Sequence, residues 1–166
     1  MMKKIATIVM LISVMMCACS QNKSVSVSSP HEICVDNRIL SYYDDITDFE
    51  NAGMKICRSV GESVKSKQSN VFVGKENEIC YILIVDNNIS TYKGISVGDS
   101  EEVIKEKFQY ENVSANYAYD VTFDKEKEVK YNDSLSDDCI RISYYVNSGI
   151  IEKIQIINLL YARKWR

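Results

Sequence analysis

Histidine, cysteine and carboxylate side chains are where this 166-residue chain could carry chemistry. The one histidine, His31, follows Pro30. A metal site or a Ser-His-Asp arrangement needs its histidine held rigidly and oriented by further partners. Nothing near His31 in the sequence supplies them, and it reads as a solvated linker residue. Cys34, Cys57, Cys80 and Cys139 include no CxxC pair, which argues against zinc. Their even number is open to two readings: disulfides, or small apolar residues buried as thiols. Asp44, Asp45 and Asp48 cluster, as do Asp133, Asp137 and Asp138. Neither set has the alternating ligands, central glycine and distal glutamate of a calcium loop. Solvated loops and a helix N-terminus account for both, although a carboxylate pair at the right separation could also serve glycoside hydrolysis. Gly94 and Gly98 stand alone and no GxxxxGK occurs, so no phosphate loop is present. The chain therefore carries no legible catalytic residue, and neither a cofactor, a metal nor a small-molecule substrate is expected.

The N-terminus is more specific. Lys3 and Lys4 precede an apolar run over 5–16, broken only by Thr7 and Ser13. That run is too short to span a hydrocarbon core, which takes about 20 residues. A charged start, a short apolar core and a small residue before the cut are the layout of a secretory signal. Met16-Cys17-Ala18-Cys19 resembles a bacterial lipobox. The resemblance implies cleavage after Ala18, so that residues 1–18 are a lipoprotein signal peptide. It also implies that Cys19 becomes the lipid-modified N-terminus, palmitate included, with the membrane as a partner through that lipid. A diacylglyceryl thioether supplies the two or more chains that firm anchoring needs. Residues 19–31, rich in serine, read as the lipidated end and a flexible tether.

Removing 1–18 takes away five of six methionines and also Lys3 and Lys4, moving the net charge from −3 to −5. No basic surplus remains to suggest nucleic acid. In residues 19–166, isoleucine and valine total 31 against 10 for leucine, alanine and methionine. Branching at Cβ favours pleated surfaces over helices. The expected class is α+β, with short helices packed on an antiparallel sheet over 32–162 and a basic tail at 163–166. Tyr117, Tyr119, Val121 and Phe123 alternate with polar or small residues from Ala115 onward, as a half-buried strand does. Ile140, Ile142, Tyr144 and Val146 do the same. Asn147-Ser148-Gly149 supplies a turn, and 150–159 returns as the partner strand. Seven apolar residues over 79–85 suit a central strand. Thr47-Asp48-Phe49-Glu50 has capping-box spacing, which predicts Thr47 as N-cap and Gly53 as the left-handed terminus. Asp99-Ser100-Glu101-Glu102 opens a second helix whose apolar side is Val103, Ile104 and Phe108. The eleven tyrosines fill strands, or join apolar ring and polar tip on a binding surface.

The segment 35–42 aligns with 85–92, with an Asp-Asn pair between apolar flanks each time and a capped helix after it. Two tandem hairpin–helix modules, 32–68 and 69–162, would account for this, and so would chance similarity of common hairpin sequences. The stretch Tyr92-Lys93-Gly94-Ile95-Ser96-Val97-Gly98-Asp99-Ser100-Glu101-Glu102-Val103-Ile104 resembles a helix start found in small lipoproteins of Gram-positive bacteria. These are distantly similar to the fold group of the outer-membrane assembly small lipoprotein and the β-lactamase-inhibitory protein. The resemblance implies helices on an antiparallel sheet and implies no reaction. The expected function is a membrane-anchored, extracytoplasmic, non-catalytic binding or scaffolding module with an envelope protein as partner. The alternatives are an inhibitor of an envelope enzyme and, less well supported, a small envelope hydrolase using an aspartate pair.

Overall fold

In the computed structural model, the described residues are 25–109, 111–113, 117–130, 136 and 139–160. They form an α+β fold that is mostly β. The chain runs β1 (Glu32–Val35), β2 (Arg38–Ser41), α1 (Ile46–Asn51), β3 (Lys55–Cys57), α2 (Val60–Lys65), β4 (Asn70–Val73) and β5 (Ile79–Ile84). It continues through β6 (Ile89–Ser90), a 3-10 turn (Tyr92–Gly94), α3 (Glu102–Lys107) and β7 (Asn112–Val113). It ends in β8 (Ala118–Asp124), β9 (Lys127–Val129), β10 (Cys139–Asn147) and β11 (Ile150–Asn158).

The strands make two sheets. The larger has the order β3-β4-β5-β11-β10-β8-β7, with β9 also on β8; the smaller has the order β2-β1-β6. β10 and β11 form its longest hairpin, from Ile140↔Asn158 to Asn147↔Ile150. Its two-residue turn places Ser148 at φ 53° and Gly149 at φ 79°, the left-handed pair that matches strand twist. β5 is buried along its whole length, in line with its continuous apolar run. The large sheet is not wholly antiparallel, as the sequence had suggested. β3 and β4 pair in parallel, because α2 carries the chain over the sheet between them.

Two helix starts differ from the sequence expectation. Asp45, not Thr47, is the N-cap of α1: its carboxylate accepts from the Thr47 N–H and the Thr47 hydroxyl, both at 2.9 Å. An aspartate two residues upstream offers a charged acceptor where threonine offers a hydroxyl, and it takes the position. Gly53 closes the helix at φ 83° as expected. Helix α2 was not foreseen, although Ser59-Val60-Gly61-Glu62 carries the capping spacing and the Ser59 hydroxyl accepts from the Glu62 N–H. α3 holds Ile104 fully buried and ends at buried Phe108.

The repetition of 35–42 at 85–92 is not a structural duplication. Asp36 and Asn37, at φ 48° and 66°, turn β1 directly back into β2. At the second position the chain leaves the large sheet after Ile84 and enters the small one, where β6 pairs with β1 through Cys34↔Ser90 and Val35↔Ile89. The division into modules 32–68 and 69–162 therefore does not describe the fold. Between the sheets lies one core, in which Ile33, Val35 and Leu40 of the small sheet and Phe49 of α1 meet Ile82, Ile84, Val121, Ile142, Tyr144 and Ile154. A second cluster, Phe72, Cys80, Tyr81 and Leu83, lies apart from it, with Ile157 packed against it.

Candidate functional site

Most residues that could carry chemistry serve the fold. His31 is not a solvated linker residue. Its Nε2 lies 3.0 Å from the Lys125 carbonyl, its ring lies 5.2 Å from that of Tyr43, and its own carbonyl accepts from the Tyr42 N–H at 2.6 Å. Val27 and Pro30 are buried as well, so the stretch 19–31 read as a tether overlaps the domain. The sequence hid this because two valines among serines, Val25 and Val27, are too few to set a pattern. Asp48 is half-exposed and ion-paired with Arg38 at 2.6 Å. Cys34, Cys57, Cys80 and Cys139 are all buried as thiols, and burial pushes the Cys57 thiol up. Cys19 and the cluster Asp133, Asp137 and Asp138 lie outside the described residues. Among the described residues no group of His, Cys, Asp and Glu is placed to hold a metal ion.

What the fold does bring together is an open cleft of about 960 Å³ beside α1. One wall is the β2–α1 connection with Tyr42, Tyr43, Asp44, Asp45, Ile46 and Thr47. The opposite wall is the β4–β5 turn with Glu76, Asn77, Glu78 and Ile79, and the end of β11 supplies Asn158 and Leu160. Tyr42 ties these walls together. Its buried hydroxyl donates to the Ile79 carbonyl at 2.7 Å and accepts from the Asn158 N–H at 3.3 Å. Tyr43, next in sequence, is turned outward and 61% exposed.

Among the described residues, four carboxylates and no cationic side chain line this cleft. Three of them, Asp44, Asp45 and Glu78, are fixed by short-range hydrogen bonds rather than by a counter-charge. Asp44 accepts from the Ser41 N–H at 2.7 Å, and Glu78 from the Glu76 N–H at 2.9 Å. The Thr47 backbone N–H, then its hydroxyl, holds the Asp45 carboxyl below its usual range. Arg58 comes near, but it spends its guanidinium on the Asn77 side chain at 2.7 Å. Among the described residues none of the four is ion-paired. Asn158 is 5% exposed, and its Oδ1 accepts from the Leu160 N–H at 2.9 Å. That bond fixes which end of the amide is the oxygen. It leaves the Nδ2 donors with no acceptor among the described residues.

Sequence reasoning found Asp44 and Asp45 but assigned them to a solvated loop and a helix start. It missed Glu76, Glu78 and Asn158. The run Lys75-Glu76-Asn77-Glu78 between two apolar segments marks a hairpin turn, but no spacing along the chain relates that turn to residue 44. A second, smaller hollow of about 220 Å³ lies against Glu101, Tyr117, Tyr119 and Gly149. Its polar groups are satisfied: Tyr119 donates to Glu101 at 2.8 Å, and Lys105 stands 3.6 Å from the same carboxylate.

No family model matches the chain, and no curated protein or solved structure is significantly similar to it.

Proposed function

We propose that the protein is an extracytoplasmic lipoprotein, held to the cell membrane by lipid on Cys19 and acting as a non-catalytic binding or scaffolding module for an envelope protein. The observation that carries this reading is the N-terminal pattern: Lys3 and Lys4, the apolar run over 5–16, and Ala18-Cys19. Only eight peptide steps separate Cys19 from Val27, the first buried residue described. Fully extended, they reach at most about 26–29 Å. In this reading the domain works close to the membrane surface. Short helices laid over a sheet give it a rigid body on which a partner can dock. Of the carboxylates that might have formed a hydrolytic pair, Asp44 closes a turn, Asp45 caps a helix and Asp48 pairs with Arg38. This favours binding over hydrolysis.

Replacing Cys19 with Ala tests the anchor in cells producing the full chain. The expected outcome is unprocessed or unanchored protein, with globomycin giving the same precursor from the wild type. Membrane retention of mature-size Cys19→Ala protein would overturn the reading.

A further inference from the structure

We infer that residues 27–31 are a strap with two positions, docked on the domain or lifted from it, which give the anchored protein two reaches. The inference rests on the lipid anchor proposed above and adds a moving part to its tether.

The strap is docked, yet few of its bonds reach the rest of the domain. The Glu32 carboxylate accepts from the Ser28 N–H at 3.3 Å, the Ser28 hydroxyl at 3.2 Å and the Ser29 N–H at 3.2 Å. The Glu32 N–H donates to the Ser29 carbonyl at 3.1 Å, and the His31 N–H to the Ser29 hydroxyl at 3.4 Å. All of these fold the strap on itself and survive its lifting. The Tyr42 N–H on the His31 carbonyl belongs to the ladder that β1 and β2 continue. Among the described residues that leaves one hydrogen bond to hold the strap down, from His31 Nε2 to the Lys125 carbonyl at 3.0 Å. Val27 is 5% exposed but belongs to neither apolar cluster of the domain, so lifting it leaves the core closed.

The ring that makes this bond is itself incompletely satisfied. Nε2 faces a carbonyl, so in the neutral ring it carries the proton and Nδ1 is left as an acceptor. Nδ1 is enclosed and has no hydrogen-bond partner among the described residues. Docking withholds water from that atom, and lifting the strap returns it.

Docked, the strap leaves eight peptide steps between Cys19 and Val27, at most about 26–29 Å. Lifted, the free chain runs thirteen steps to Glu32, at most about 43–47 Å. A partner beyond the shorter reach binds only the lifted form and draws the equilibrium toward it. The strap keeps the domain near the membrane until a more distant partner engages it.

Alkylation of V27C in the full chain tests the two positions. Iodoacetamide labelling, mapped by peptide mass, compares the introduced thiol with that of V25C, at a position 39% exposed, and with the buried Cys34 and Cys57. The expected rate is at least tenfold below V25C, at least tenfold above Cys34 and Cys57, and insensitive to urea below the unfolding transition. Labelling as fast as V25C would show a strap never docked. Labelling as slow as Cys34, or rising only with global unfolding, would show one never lifted. Either result overturns the inference. The reach is read by neutron reflectometry of the lipidated protein on a supported bilayer. In V27D/H31A the domain layer should move outward or broaden by up to about 16–18 Å, five steps of chain, with the urea midpoint near that of the wild type. An unmoved layer, or a midpoint lowered as by a core substitution, would also overturn it. The alkylation does not depend on anchoring, so its failure is distinct from a failure of the Cys19 experiment.

Discussion

The hydroxyl of Tyr42 stands between two strands of the large sheet that do not own it, donating to Ile79 of β5 at 2.7 Å and accepting from Asn158 of β11 at 3.3 Å. A tyrosine just beyond the small sheet thus fastens the N-terminal hairpin to the centre of the molecule. Tyr42→Phe keeps the packing but leaves a buried carbonyl and a buried N–H without their partner. The expected cost is about 1–3 kcal/mol, read as a lower urea midpoint at unchanged slope.

Two glycines should respond to the same substitution with opposite sign. Gly53 ends α1 at φ 83°, where a Cβ meets no neighbour but the backbone itself is disfavoured. Gly53→Ala should destabilise by about 1 kcal/mol. Gly61 lies in α2 with ordinary helical backbone, and a Cβ there also meets nothing within 4 Å. Gly61→Ala should stabilise by about 0.4–1 kcal/mol. Thermal unfolding of both variants checks the pair.

The alkaline limb of stability should trace to buried phenols. Tyr144 is fully buried and its phenol is raised well above the ordinary value of 10.0, burial being the main cause. Above about pH 10 the unfolded chain releases that proton while the folded chain keeps it. Unfolding then gains free energy as pH rises, and native stability falls progressively toward the folded pKa. Tyr81 and Tyr145 are shifted in the same direction by burial. Tyr144→Phe should flatten the fall in urea midpoint between pH 9.5 and 11.5. Among the described residues its one side-chain hydrogen bond, to the Thr91 hydroxyl at 3.5 Å, is long, so stability at pH 7 should change little.

The four buried cysteines should behave as protected thiols. Iodoacetamide should label Cys34, Cys57, Cys80 and Cys139 slowly in the native chain and completely in urea without reductant. The thiolate is the nucleophile, and burial disfavours it at Cys57. Labelling in urea that requires prior reduction would show disulfides instead.

Local pattern was readable where a single segment decides its own state. Period-two alternation located β10 and the Val121–Phe123 side of β8. It also placed Tyr117 inward, whereas Tyr117 precedes the strand at φ 55° and is 77% exposed. The Ser148-Gly149 turn joined β10 to β11. The uninterrupted run at Ile79–Ile84 announced a strand buried on both faces. What the sequence hid depends on distant partners. β6 repeats the wording of a hairpin yet pairs with β1, because two residues are too few to commit to either sheet. β3 and β4 are equally short, and their parallel pairing is set by α2 passing over them. The cleft shares this fate: its walls, 42–47 and 76–79, meet only because Tyr42 reaches across to Ile79. Its acidity was legible as isolated carboxylates and not as a concentration of them.

β1 is hydrogen-bonded on both sides, to β2 and to β6, and it is the strand nearest the N-terminal end of the domain. A pull transmitted through that end reaches β1 once the turn closed by the Glu32 N–H on the Ser29 carbonyl is drawn out, and it then loads hydrogen bonds that lie perpendicular to the strand. Such bonds are strained together in shear and cannot be peeled one at a time. A terminal edge strand under the same load would unzip from its end. The order β2-β1-β6 gives the molecule a mechanical clamp at the point where the lipid anchor proposed on Cys19 would deliver its load.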